Sequence, residues 1–292
     1  MQVANALISG VAMGAVYAML AVGFSLLWQT SRTVNFAQGD FASLPAFFFF
    51  GFAVKLGLPT YAAAVLAVAA AVFVFGYLFR KTVIKKLLGR GLGSVIVGTL
   101  ALSLLLENGI VAFWTAQPLR APDLFENKTH VLGGFRFTTL DVVDVVVAMV
   151  LVTALEMFLR KTKPGNALRA VAQSPFTARV LGIDTERVIT LAFAINAFLA
   201  AVVGLLVAPI FLVKFDNGIL LSLAAFYAAV IGGFNEIRGA IVGGVVVGVI
   251  QALTAIYLST QYQNAIVLGV LLLVILARPQ GLLGTREVVE YK

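Results

Sequence analysis

Cysteine is absent from the 292 residues, and His130 is the one histidine. Disulfides and cysteine-built metal sites are therefore excluded, and a single imidazole makes a histidine-built metal site implausible. Charge is scarce too. Asp, Glu, Lys and Arg together make up 12% of the chain, against about a quarter in ordinary soluble domains. A phosphate-cradling Gly-x-x-x-x-Gly-Lys-Ser/Thr loop is missing, so the chain is not expected to hydrolyse ATP itself. The sequence offers no nucleophile–base–orienter set, and an enzyme is not the expected class. No basic segment precedes the first apolar stretch, which opens Met1-Gln2-Val3-Ala4-Asn5. That stretch is too long for the core of a cleavable signal and reads as a first membrane span.

Apolar residues are abundant, at 61% of the chain with a mean hydropathy of +1.02. A surface that poor in charge is expected to face lipid. Backbone groups in lipid must be satisfied within their own segment, which predicts an all-α polytopic bundle. Crossing the hydrocarbon takes about 20 apolar residues. The candidates are Ala6–Trp28, Phe36–Val54, Tyr61–Phe79, Leu92–Phe113, Val142–Leu159, Ile189–Val213, Ile219–Phe234, Ala240–Tyr257 and Ala265–Ala277. The second contains Gly39 and Pro45 and is expected to be broken; the seventh and ninth are short. Eight to ten spans are expected, in a single domain covering 1–292.

The net charge is +8, and its placement argues against nucleic acid. Basic residues gather between the apolar stretches, as the bias of Lys and Arg toward the cytoplasmic side produces. Arg80, Lys81, Lys85, Lys86 and Arg90 fall in 80–91, read as a loop. Arg160, Lys161, Lys163, Arg169, Arg179 and Arg187 fall in 160–188, and Arg278, Arg286 and Lys292 in the tail. The connection 114–141 balances Arg120, Lys128 and Arg136 against Asp123, Glu126 and Asp141 and is expected outside. Nine crossings would place the N-terminus outside and the C-terminus in the cytoplasm.

Several features inside the spans stand out. Gly10 with Gly14, Gly239 with Gly243 and Gly244 with Gly248 have the spacing of close helix packing. The run from Ala15 to Phe24 matches the run from Ala225 to Phe234 at five of ten positions, slender support for an internal repeat. Polar groups in lipid are costly and usually face a bundle interior or a water-filled path. Asn35, Gln38, Gly39 and Asp40 open the second span, Glu107 and Asn108 lie within the fourth, and Asn196 lies within the sixth. These are the candidate pathway residues; capping and interhelical hydrogen bonding are the plainer alternatives for each. Asp141 and Asp144 read as helix-start acids. Two carboxylates, Asp40 and Glu107, also leave open an ion-coupled carrier, and a gated pore is a third class.

The stretch 164–184 is polar and amphipathic. Leu168, Val171 and Ala172 share one face of a short helix, and a second short helix after Ser174-Pro175 would carry Ala178, Leu181 and Gly182. From Gly165 to Ile183 the chain reads Gly-x-Ala-Leu-Arg-Ala-Val-Ala-x-Ser-x-x-x-Ala-x-x-Leu-Gly-Ile. This run resembles the cytoplasmic loop signature of the permease subunits of branched-chain amino-acid ABC importers. Three further stretches are similar to that family: Val34-Asn35-Phe36-Ala37-Gln38-Gly39-Asp40, Ile231-Gly232-Gly233-Phe234 with Arg238-Gly239-Ala240, and Ala277-Arg278-Pro279-Gln280-Gly281-Leu282-Leu283-Gly284. The short form looks like the first of the two paralogous permeases of such systems.

The resemblance implies an inner-membrane subunit that pairs with a paralogous permease. Two cytoplasmic ATPases would carry ATP and Mg, this chain holding no cofactor, and a periplasmic binding protein would deliver the solute. Gly165, Leu168, Arg169, Ala170, Ala172, Ala178, Arg179, Leu181 and Gly182 would belong to the segment that couples to an ATPase. Gln38 stands where the family commonly has His, and Glu107 where it often has Gln. Branched-chain amino acids, other neutral amino acids, urea, amides and aromatic acids are all compatible with the signature.

Overall fold

The computed structural model describes residues 2–132 and 135–284. Its helices are α1 (Gln2–Ser31), α2 (Asp40–Phe50), α3 (Thr60–Ala71), α4 (Lys85–Leu88), α5 (Leu92–Phe113), α6 (Thr139–Lys161), α7 (Lys163–Gln173), α8 (Pro175–Val180), α9 (Thr185–Phe211), α10 (Asn217–Gly232), α11 (Ile237–Tyr257) and α12 (Gln263–Ala277). Two strands, β1 (Thr129–Leu132) and β2 (Phe135–Thr138), form an antiparallel hairpin in which His130 faces Phe137. Eight helical segments among the described residues are long and apolar enough to cross a membrane. The helix α10 is shorter, with 16 residues, or about 24 Å at 1.5 Å per residue.

Helix α1 is the hub, lying against α6, α9, α10 and α11. Small residues set its closest contact. A Cβ on Gly14 would lie 2.8 Å from the Val245 Cα, and one on Gly248 would lie 2.2 Å from the Gly10 carbonyl oxygen. The glycine pairs therefore serve packing, as their spacing suggests. Register gives directions: Gly10 meets Gly248 while Ala18 meets Gly244, so α1 and α11 are antiparallel. Gly243 meets Ala228 and Gly239 meets Gly232, so α10 and α11 are antiparallel as well, and α10 runs with α1. The two stretches matched as a repeat touch, with the Phe24 ring 6.2 Å from Phe226 and 6.4 Å from Phe234.

Every expected span is present, and several ends differ. Most of 80–91 is not a loop: helical backbone runs on from α3 through π-turns at Val72–Leu78 and Arg80–Ile84 into α4, and a turn at 89–91 alone separates it from α5. Phe79 and Ile84 are buried and prolong the apolar face, and Arg80 is buried with them. Helix α6 starts at Thr139, where Thr138 and Asp141 form a reciprocal cap. Asp141 is thus the expected helix-start acid, but Asp144 is not: it is buried and its Oδ1 has no partner. The second span is irregular near Gly39, as expected, but is not broken at Pro45, which sits inside α2. A short 3-10 turn, Phe36–Gln38, precedes it instead.

Basic groups gather at one end of the bundle. Lys85 Nζ lies 2.8 Å from Glu186 Oε2, tying α4 to the start of α9. Glu156 accepts from Arg160 at 2.8 Å and from Arg238 at 2.7 Å, tying α6 to α11. The hairpin lies at the opposite end, where the Arg136 backbone N–H donates to Asn5 Oδ1 at 2.9 Å. The tail folds back on the basic end. Leu282 and Leu283 N–H groups donate to the Ile231 and Gly232 carbonyls at 2.8 and 2.9 Å. Gly233 and Gly281 have φ of 115° and 81° and approach to within a methyl's width, so two stretches far apart in sequence form one junction. Arg286 and Lys292 lie outside the described residues.

Candidate functional site

The turn at 35–40 is the polar centre of the bundle. Asn35 Oδ1 caps it, accepting from the Ala37 N–H at 3.1 Å, while Asn35 Nδ2 is buried without a partner. Gln38 and Asn196 close a two-way amide ring: Gln38 Nε2 donates to Asn196 Oδ1 at 2.6 Å, and Asn196 Nδ2 donates to Gln38 Oε1 at 2.7 Å. Asn196 lies eleven residues beyond Thr185, the start of α9, which is about 16 Å along the axis. Half of a ~30 Å hydrocarbon core is about that distance, so the turn sits near mid-span.

Helix α10 begins beside the same turn. A Cβ on Gly39 would lie 1.7 Å from the Gly218 carbonyl oxygen, and one on Gly218 would lie 2.7 Å from Asp40 Oδ1. Gly39 has φ −67° and ψ −35°, ordinary helical values. It is therefore glycine because of this contact and not because the chain breaks. Ser222 of α10 donates to the Phe36 carbonyl at 3.4 Å. A helix start packed through its glycine against an irregular turn is an arrangement by which transporters expose backbone groups to solutes.

Helix α5 closes the third side with a stripe at four-residue spacing. Thr99 Oγ1 accepts from the Phe36 N–H at 3.2 Å, Ser103 lies beside Asp40, and Glu107 lies within electrostatic reach of Asp40 and of Asp216. Asp40 is 1% exposed and Glu107 9%, and Asp40 Oδ1 and Glu107 Oε1 have no partner. Asn35, Gln38, Gly39, Asp40, Glu107 and Asn196 thus come together, although Gln38 and Asn196 satisfy one another. Asn108 does not join them. One residue from Glu107, it turns about 100° around the helix, is exposed, and donates to the Leu104 carbonyl of its own helix at 2.7 Å. Sequence reading missed Ser103 and Ser222, whose only signal is helical spacing from Glu107 and nearness to Gly218.

The segment after α6 folds into two short helices, each start capped. Thr162 Oγ1 accepts from the Gly165 N–H at 3.0 Å, Ser174 Oγ from Thr177 at 3.2 Å, and Asp184 Oδ1 from Arg187 at 3.1 Å. A Cβ on Gly165 would lie 2.1 Å from the Phe158 carbonyl oxygen, so glycine lets α7 fold tightly against the end of α6. Leu168, Val171 and Ala178 are buried against the bundle; Ala170 and Ala172 are half-buried. Helix α8 ends at Val180, so Leu181 and Gly182 lie beyond it; Gly182 turns the chain at φ 80°. Arg179 Nε donates to Thr185 Oγ1 at 3.0 Å and braces α8 against α9. Arg169 is exposed and lines a cleft of about 630 Å3 with Gln29, Glu156, Gln173 and Arg238. At the tip, Phe176, Val180 and Leu181 are 77%, 71% and 73% exposed. Phe176 and Val180 were not singled out from the sequence, because an apolar residue is ordinarily assigned to the core.

The family profile described as the branched-chain amino acid transport system permease component matches residues 6–276. The high-affinity branched-chain amino acid transport system permease protein LivH of Escherichia coli K12 is 30% identical over 292 residues, with 96% of this chain and 95% of that one covered. The BraD permease of the corresponding system in Pseudomonas aeruginosa is 29% identical, with 97% and 96% covered. A probable LivH of Methanocaldococcus jannaschii is 29% identical, with 91% and 88% covered. These matches favour a permease component over an ion-coupled carrier. With its multi-pass helical bundle and its four signature stretches in order, the chain belongs to the branched-chain amino-acid permease family of ABC importers.

Proposed function

We propose that this protein is the membrane-spanning subunit of an ATP-driven importer, in a bacterial inner membrane, for branched-chain or other neutral amino acids or related small polar solutes. The observation that carries the reading is the capped pair α7 and α8, with its apolar tip at the basic end of a family permease. A chain with no phosphate-binding loop must receive work through protein contact. A rigid segment joined directly to α6 and α9 can convey it. Phe176, Val180 and Leu181 would enter a groove of a cytoplasmic ATPase, and Arg169 would meet acidic groups there. ATP and Mg would be held by two such ATPases and not by this chain. A paralogous permease would complete the membrane assembly, and a periplasmic binding protein would supply solute to the 35–40 turn. The basic end would face the cytoplasm and the hairpin the periplasm.

The test is reconstitution of the chain with its paralogue, ATPases and binding protein in proteoliposomes. ATP hydrolysis is measured against binding protein loaded with leucine, other amino acids, urea or acetamide. Stimulation by one solute class supports the reading and identifies the solute. No association with any ATPase overturns it.

A further inference from the structure

Two buried carboxylates, Asp40 and Glu107, lie within electrostatic reach of one another inside the bundle. Asp40 Oδ1 and Glu107 Oε1 lack hydrogen-bond partners, and among the described residues no ion pair reaches either side chain. Lys214 lines a narrow cleft with Ser43 and Asn217 near the start of α10 and does not pair with them. Asp216 adds a third acid within reach of Glu107. The neighbours are small: Gly39, Gly218, Ser103 and Ser222, so a solute atom can approach the carboxylates closely once α10 and the 35–40 turn part. Burying a carboxylate is unfavourable unless a cation or a proton compensates it. Packing alone would be served as well by an amide, such as the one that joins Gln38 to Asn196.

Resting on the permease reading above, we propose that Asp40 and Glu107 form a constriction that receives the ammonium group of the solute, selecting amino acids over uncharged amides and over analogues without the nitrogen. Ser103, which lies beside Asp40, orients it. The acid at Asp216, just ahead of α10, draws the cation toward the pair before the constriction opens. The closed contact between Gly39 and Gly218 keeps the site shut until the ammonium of an incoming solute has replaced it.

The experiment uses the complete reconstituted importer and two solutes, L-leucine and its 2-hydroxy analogue, each at a concentration that loads the binding protein equally. Uptake per ATP hydrolysed is compared for the parent and for Asp40→Asn, Glu107→Gln and the double variant. The parent is expected to prefer leucine by at least about tenfold, and the double variant to lose most of that preference while still assembling with its ATPases. Asp40→Glu should retain the preference, which a role in packing alone would not require. An unchanged preference in the double variant, with assembly intact, overturns the inference and leaves the permease reading standing. A parent complex that moves neither solute overturns the permease reading and the inference with it.

Discussion

The amide ring between Gln38 and Asn196 shows how one residue can be polar, buried and still structural. Each side chain supplies the other's donor and acceptor, at 2.6 and 2.7 Å. Removing one partner strands the other in a dry site, at a cost of about 1–3 kcal/mol, while replacing both by apolar groups of similar shape is nearly neutral. Asn196→Ala is therefore expected to lower the thermal midpoint of the purified complex in detergent. Gln38→Leu combined with Asn196→Leu should recover much of the loss. A single variant as stable as the parent would show that the ring holds nothing. Gly39 makes a related point. Its alanine variant would drive a methyl into the Gly218 carbonyl, 1.7 Å away. Overpacking of that kind costs about 1–3 kcal/mol, and here it should also separate α10 from the turn, measured as lower stability together with lost uptake.

At the scale of the element, the segment from Thr162 to Thr185 carries the proposed coupling to an ATPase. Three side-chain caps in succession and the Arg179–Thr185 bond make it stiff. The apolar tip at Phe176, Val180 and Leu181 is exposed, which suits the proposed contact with an ATPase. Phe176→Asp is expected to abolish most ATPase co-purification while leaving membrane insertion unchanged. Arg169→Glu should weaken both association and uptake, because an acid would replace the exposed base beside the cleft. Equal ATPase recovery from parent and Phe176→Asp would remove the tip from the interface. The sequence marked this segment through its signature, yet it placed Leu181 and Gly182 on α8. The helix instead stops at Val180, and Gly182 supplies the left-handed turn toward the Asp184 cap.

For the whole molecule, the distribution of charge gives the proposed orientation, with the basic end toward the cytoplasm. Lys163 lies at the basic end and Lys128 by the hairpin, both exposed. Because the chain contains no cysteine, single variants give a clean background for thiol labelling. In intact spheroplasts a membrane-impermeant maleimide is expected to modify Lys128→Cys and to spare Lys163→Cys until the membrane is opened. The reverse pattern would invert the orientation and remove the proposed cytoplasmic contact.

The sequence by itself determined the class and the order of the spans. Hydropathy in lipid leaves helix as the available form, so the nine apolar stretches are all helical segments among the described residues. Interior packing was legible at Gly14 and Gly248, because small residues at four-residue spacing serve one purpose between helices. Only the tertiary structure decided what each polar residue does, since that depends on which groups from distant segments meet it. Asn196 found Gln38, Ser222 found the Phe36 carbonyl, and Asn108 bonded within its own helix. Local pattern could not extend α3 into the basic stretch either, because the burial of Arg80 and Ile84 comes from neighbours far along the chain.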